Sequence, residues 1–276
     1  MSATGPGAAG DPRLFGSFLG WATRVRGERR IAVTAEQIFW LIHADLPRAS
    51  PGSVATTRLL IRLAGHLPHH PRVIDIGCGA GQTSLVLAAD TGGTVLAVDT
   101  HPAFLGRLRE SALAAGLQDR IHTIVASMRA LPMPDACADL VWAEGSAHLM
   151  GFDDALASWR RLLAPNGLLV LTEAEWTTPH PAPGARAFWS ANYPGMRTID
   201  GNARAALAAG WTVHATYQLP DSDWSAYHDS LADRLDQLRE RGFAPKLLAQ
   251  VGGQEIEIRR QHGADFGFTG YVLRPR

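Results

Sequence analysis

Cysteine is nearly absent from this chain: 276 residues include two, Cys78 and Cys137. Two thiols cannot build a disulfide framework, and no Cys/His spacing suits a metal. Net charge is missing as well, with 26 basic side chains against 26 acidic ones. Nucleic-acid binders carry a basic footprint, and this chain as a whole does not. Its basic cluster, Arg24 to Arg30, is short and contains Glu28. No apolar run approaches the length that spans a bilayer. Residues Met1 to Asp11 are rich in Gly, Ala and Pro and lack a basic-then-apolar leader pattern. The expected setting is a reducing cytoplasm, with neither nucleic acid nor membrane as partner. What remains, 46% hydrophobic and 19% charged, is the composition of an ordinary globular protein with one sizeable core.

The chain is organised around Val73 to Thr83, which reads Val-Ile-Asp-Ile-Gly-Cys-Gly-Ala-Gly-Gln-Thr. An apolar run ends at Asp75, three alternate glycines follow (Gly77, Gly79, Gly81), and apolar residues then return at helical spacing from Leu85. Strand, tight turn and helix in that order let a ligand lie against bare backbone, facing the unpaired N–H groups of a helix start. No lysine follows the glycines, so a P-loop is excluded. A second apolar run, Thr94 to Val98, ends in Asp99, placed to bind a ribose diol in a dinucleotide or a nucleoside site. Asp75 would repel a pyrophosphate but suits a ligand carrying an ammonium and a sulfonium. S-adenosylmethionine therefore fits better than NAD.

Strands and helices alternate through the centre, the pattern of a parallel sheet covered on both faces. Thr34 is read as the N-cap of a helix to His43, a candidate lid, and a second helix covers Thr57 to Ala64. Pro102 opens a helix that Gly116 ends. Ile121 to Val125 is the third strand, Leu140 to Trp142 the fourth, and Leu168 to Thr172 the fifth, entered through a turn at Pro165-Asn166-Gly167. A helix with Leu156, Trp159 and Leu162 on one side precedes that turn. Beyond Trp176 the sequence turns aromatic, with Phe188, Trp189 and Tyr193. Strands at Trp211–Tyr217 and Phe268–Leu273 flank a long helical stretch, Trp224 to about His262.

The segments "VIDIGCGAG", "LAVDT", "ASMRALPMPDACADLVWAEG" and "LLAPNGLLVLTEAEW" resemble, in order and spacing, the class I S-adenosylmethionine-dependent methyltransferases, in the small-molecule branch that includes quinone-biosynthesis enzymes. Together they cover Val73 to Trp176. The stretches "RASPGS", "AFWSANYP", "LPDSDW" and "FGFTGYVLRPR" resemble the flanks of a narrower bacterial group. The resemblance implies an α/β fold: a Rossmann-like seven-stranded sheet, parallel with an antiparallel edge strand, flanked by helices. Residues 1–30 are expected as a flexible tail and 31–276 as the domain, with helical cap insertions at 31–50, 177–205 and 222–262. It implies that Asp75, Gly77, Gly79 and Gly81 hold the methionine half of the cofactor. Asp99 and Thr100 then meet the ribose and adenine edge, and Ser127 and Met128 clamp the adenine. Glu144 faces the sulfonium and Arg48 reaches the cofactor carboxylate. The acceptor is a small molecule. Where it needs deprotonating, His148 in Gly145-Ser146-Ala147-His148 is the candidate base, with Glu144 or Glu175 behind it. A homodimer is compatible with this reading.

Two other functions share parts of the pattern. An NAD-dependent oxidoreductase uses the same glycine-turn logic, and a regulatory protein can keep the cofactor site without transfer activity. A nucleic-acid base methyltransferase would carry an Asn/Asp-Pro-Pro-aromatic turn after the fourth strand, where this chain has Ala143-Glu144-Gly145-Ser146. A metal-dependent catechol-type enzyme would place an acid cluster there.

Overall fold

A computed structural model describes residues 35–243 and 245–276. The expected tail over 1–30 and the Thr34 cap lie outside the described residues. Five strands run in parallel: β1 (Arg72–Ile76), β2 (Thr94–Asp99), β3 (Ile121–Val125), β4 (Ala138–Ala143) and β5 (Leu163–Trp176). Two more, β7 (Trp211–Gln218) and β8 (Phe266–Pro275), complete the order β3-β2-β1-β4-β5-β8-β7. A two-residue strand, β6 (Arg197–Thr198), pairs with the end of β5, which makes eight strands by count. The reversed strand is β8, antiparallel to both β5 and β7. It lies one place in from the edge rather than at it, because β7 passes outside it.

Alternation along the strands divides the core into two layers. Ile74, Ile76, Val141, Leu169 and Leu171 face α5 (Phe152–Trp159) and α7 (Ile199–Ala208), meeting Leu156, Trp159 and Ala206. Val73, Ala97, Leu140, Trp142 and Val170 face α2 (Val54–Ala64), α3 (Gln82–Thr91) and α4 (Pro102–Ala114). Such period-two patterning fixes register, since a one-residue slip would exchange the two layers. The expected turn at Pro165-Asn166-Gly167 is absorbed into β5 as an irregularity. Pairing jumps from Ala138↔Leu163 to Leu140↔Leu168, and Asn166 takes φ 66°.

Helix α2 begins three residues earlier than its apolar pattern, because Ser53 Oγ accepts the Thr56 N–H at 3.1 Å. A cap of this kind contributes about 1 kcal/mol.

Two smaller clusters lie beyond the sheet. Helix α1 (Ala35–His43) packs Ile38 and Ile42 against Tyr227, Leu231, Leu235 and Leu238 of α8 (Asp221–Glu240). Helix α9 (Pro245–Leu248), a π-helical turn (Ala249–Gly253) and α10 (Gln254–His262) continue that layer. The other cluster joins Trp189 of α6 (Pro183–Asn192) and Trp224 of α8 to Ala174, Phe266 and Phe268 at the sheet's end. Of the expected cap range 177–205, α6 belongs to this cluster, whereas α7 packs into the main core through Ala206. No helix among the described residues is long and apolar enough to cross a membrane.

Candidate functional site

The chain crosses from β1 to α3 through the three glycines, all at positive φ: 72° at Gly77, 54° at Gly79 and 88° at Gly81. Their reasons differ. A Cβ at Gly81 would fall 2.2 Å from Leu108 of α4, and one at Gly77 would fall 2.5 Å from Ser146. At Gly79 it would meet nothing within 4 Å. Two glycines are thus demanded by packing, while the middle one borders open space where a ligand can lie. Helix α3 starts at Gly81 with no side-chain cap, so its first N–H groups stay available.

Asp99, at the end of β2, lies directly against that loop. Its Oδ2 accepts the Gly79 N–H at 2.9 Å and its Oδ1 the His101 N–H at 2.8 Å. Burial pushes its carboxyl above the usual range, and these two donors oppose the shift. Thr100 beside it is exposed. His101 stacks on Trp40 of α1, with ring centroids 4.2 Å apart and planes 3° from parallel. The first described helix therefore closes over the side of the mouth that holds Asp99. Arg107 of α4 also donates to the carbonyl of Ala44, tying the end of α1 to the sheet.

Ser127 and Met128 follow β3. Ser127 Oγ accepts the Arg129 N–H at 3.3 Å. The Met128 methyl lies 3.5 Å from where a Gly77 Cβ would be, and its carbonyl accepts the Trp159 indole at 3.1 Å. Asp75 is buried in the opposite layer. Its Oδ2 accepts the Ser84 hydroxyl at 2.5 Å, and burial raises its pKa to about 7. It thereby ties β1 to the first turns of α3.

Glu144 and Arg48 meet each other. The Arg48 guanidinium donates to Glu144 Oε1 at 2.8 Å and lies 3.1 Å from Thr83 Oγ1. Glu144 Oε2 accepts from Thr57 at 2.9 Å and from the Trp142 indole at 3.2 Å. This carboxylate is already saturated by one cation and two further donors. A proton-accepting role would require dismantling that network. Gly52 passes so close that a Cβ there would lie 2.8 Å from Glu144 Oε1. A cleft of about 240 Å³ opens beside it, lined by Arg48, Gly52, Gln82 and Tyr227 among others.

His148 sits in a one-turn helix, Ala147–Leu149, after β4. Its ring lies 6.0 Å from Tyr193 and 5.8 Å from Phe268. Burial lowers its pKa to about 4, so the imidazole is neutral at physiological pH, and its Nδ1 has no partner among the described residues. The loop is held from below by Gly145 N–H to Thr172 Oγ1 (2.7 Å) and by the Ser146 hydroxyl to the Ile76 carbonyl (2.6 Å).

Beyond these residues lies a buried acid group at the end of β5. Glu175 accepts from Tyr271 and, at 2.8 Å, from Asn202. Glu173 is fully buried; burial and the neighbouring Glu175 push its carboxyl up to about 8, and the Tyr193 hydroxyl beside it opposes that rise. The signal was present in the sequence, two alternate acids inside the apolar run Leu168 to Trp176. Period two places both on the Leu171 face.

The glycine turn into an uncapped helix, the acid ending the second strand and the reversed strand inside the far edge match the arrangement that the sequence resemblance implies. Residues 73–167 match the family described as "Methyltransferase domain". Methyltransferase GfsG of Streptomyces halstedii is 33% identical over 131 residues, 46% of this chain and 45% of that protein. The 27-O-demethylrifamycin SV methyltransferase of Amycolatopsis mediterranei is 37% identical over 120 residues, 42% of this chain and 44% of that protein. The chain thus spans under half the length of these two relatives. A solved S-adenosylmethionine-dependent methyltransferase from Geobacter sulfurreducens, in complex with S-adenosyl-L-homocysteine, shares the fold with a TM-score of 0.78. It is 19% identical, and the match covers 87% of this chain and 98% of that one.

Proposed function

We propose that the protein transfers a methyl group from S-adenosylmethionine to a small-molecule acceptor. The observation that carries this reading is the open side of Gly79, whose N–H is held by Asp99 on β2, with the Met128 methyl after β3 lying beside Gly77. That arrangement suits a nucleoside: ribose hydroxyls on the Asp99 carboxylate, the adenine against the Met128 thioether and the methionine portion along Gly77–Gly81. The residues present fit such a cofactor. Asp75 acts through its tie to Ser84, and Arg48 is oriented by Glu144 toward the cofactor's carboxylate.

Once bound, the sulfonium supplies an activated methyl carbon, so the protein's part is positioning and exclusion of water. In this reading α1, α6 and the α8–α10 layer form the cap, and the acceptor lies between them and the strand ends. The aromatic clusters around Trp189 and Trp224 favour an apolar acceptor body. His148 presents a neutral imidazole to it, and Glu144 serves the site through Arg48 rather than as the base. Formal neutrality argues against nucleic acid as the acceptor.

Incubation with methyl-labelled S-adenosylmethionine and a low-mass cell extract tests this reading. Label is expected in small molecules and not in protein or nucleic acid. Label in macromolecules alone, or in nothing, contradicts it. His148→Ala is expected to lower turnover on the order of a hundredfold, the usual effect of removing a positioned proton-handling group, with cofactor affinity unchanged.

A further inference from the structure

A helix of one turn does not hold itself together, because so few internal hydrogen bonds cannot offset the ordering of its backbone. Ala147–Leu149 closes on itself through Leu149 N–H to the Ser146 carbonyl (3.1 Å) and Met150 N–H to the Ala147 carbonyl (3.0 Å). His148 sits at its centre, and no described residue bonds its Nδ1. A base is ordinarily oriented by a third group. Here the direction of the imidazole depends on what grips the helix from outside.

Those grips come from the segments that border the cofactor site. Ser146, only 3% exposed, donates its hydroxyl to the carbonyl of Ile76, the last residue of β1, at 2.6 Å. The same side chain lies against Gly77, where a Cβ would fall 2.5 Å from it. On the far flank the Arg129 guanidinium donates to the Leu149 carbonyl at 2.9 Å. Arg129 directly follows Met128, in a turn closed by Ala130 N–H to the Ser127 carbonyl (3.0 Å) and held to α5 by the Trp159 indole. Gly145 adds a third anchor. Its N–H bonds Thr172 Oγ1, and at φ 74° it passes so near Ser50 that a Cβ would collide with that hydroxyl. Both flanks of His148 are therefore fastened to the glycine turn and to the Met128 turn.

We propose that Ser146 and Arg129 are positioning residues, which set His148 relative to the cofactor's methyl carbon by clamping its one-turn helix between those two turns. This rests on the methyl-transfer reading above. Neither residue handles a proton. Ser146 transmits the state of the glycine turn to His148, and Arg129 transmits that of the Met128 turn. Such placement matters because a displacement of about 1 Å costs on the order of a hundredfold in rate.

The test follows the His148 imidazole by NMR in the nitrogen-15-labelled full chain, titrated with S-adenosylhomocysteine. His148→Asn identifies its signals. In the wild type they are expected to move as S-adenosylhomocysteine binds. In Ser146→Ala and Arg129→Met that movement should fall to less than half, and Arg129→Lys should restore part of it. Calorimetric affinity for S-adenosylhomocysteine should stay within about threefold of wild type, as for changes that leave the ligand's own contacts intact. A purely structural role would lower thermal midpoints and leave the His148 response whole, so a full response in folded Ser146→Ala or in Arg129→Met overturns the proposal. Arg129 is exposed, so its variants decide the matter even where Ser146→Ala does not fold. A folded wild type that fails to bind S-adenosylhomocysteine overturns the methyl-transfer reading. Normal binding with His148 unmoved overturns the positioning proposal alone.

Discussion

The mouth built by β1, α3 and β2 and the acid group at the end of β5 lie at the same end of one sheet, yet they are made differently. At the mouth, polar groups are satisfied by near neighbours in sequence. Asp75 meets Ser84, and Asp99 meets Gly79 and His101. At the acid group, Asn202 and Tyr271 reach Glu175, and Tyr193 reaches Glu173, from separate elements over longer sequence separations. A mouth completed by its own backbone is ready for one cofactor.

The largest expected effect comes from the network that joins the two regions. Arg48→Ala leaves Glu144 buried without its cation, and breaking such a pair costs about 3–5 kcal/mol. Denaturant unfolding should show this, and a loss below 1 kcal/mol would mean that Arg48 is not what holds Glu144. Next come the glycines. Gly81→Ala combines positive φ with a collision against Leu108, for roughly 2–4 kcal/mol of lost stability. Gly79→Ala should cost about 1–2 kcal/mol in the fold while weakening S-adenosylhomocysteine. Equal thermal midpoints in these two variants would remove the distinction between packed and ligand-facing glycines. Asp99→Ala should lose about 1.5–3 kcal/mol of cofactor affinity, the worth of hydrogen bonds to a charged group, measurable by calorimetry.

The smallest effect lies in the buried acid group and depends on pH. Glu173 is raised to about 8 from an ordinary value of 4.5. Between those values the folded state holds a proton that the unfolded chain releases, so this group's contribution falls as pH rises from about 4.5 to 8. His148 is lowered to about 4 from 6.5. The unfolded chain takes up a proton there first, and stability is lost as pH falls from about 6.5 to 4. Glu173→Gln should therefore flatten the alkaline side of a plot of thermal midpoint against pH and leave the acid side unchanged. An unaltered alkaline side would show that Glu173 is not buried as described.

Sequence legibility follows the same division. The glycine turn, the acid at Asp99 and the alternation of strands and helices in the parallel body could be read because each shows in a local sequence pattern. The Ser53 cap, which moves the start of α2 back to Val54, was equally local and passed unread within "RASPGS". Glu144 was located by its strand end, but its saturation by Arg48, Thr57 and Trp142 depends on contacts up to 96 residues apart. Period-two patterning put Glu173 and Glu175 on one face without saying which partner each would find. Asn202 and Tyr271 reach Glu175 from two separate elements, and Tyr193 reaches Glu173 from the end of α6.

The account's central claim is that the open side of Gly79 and the Asp99 carboxylate form a nucleoside site for S-adenosylmethionine. Isothermal titration of the folded wild-type chain with S-adenosylhomocysteine and, separately, with NAD tests it most directly. One S-adenosylhomocysteine per chain, with no heat from NAD, is the predicted result. Binding of NAD, or a folded chain that takes up neither ligand, would contradict it.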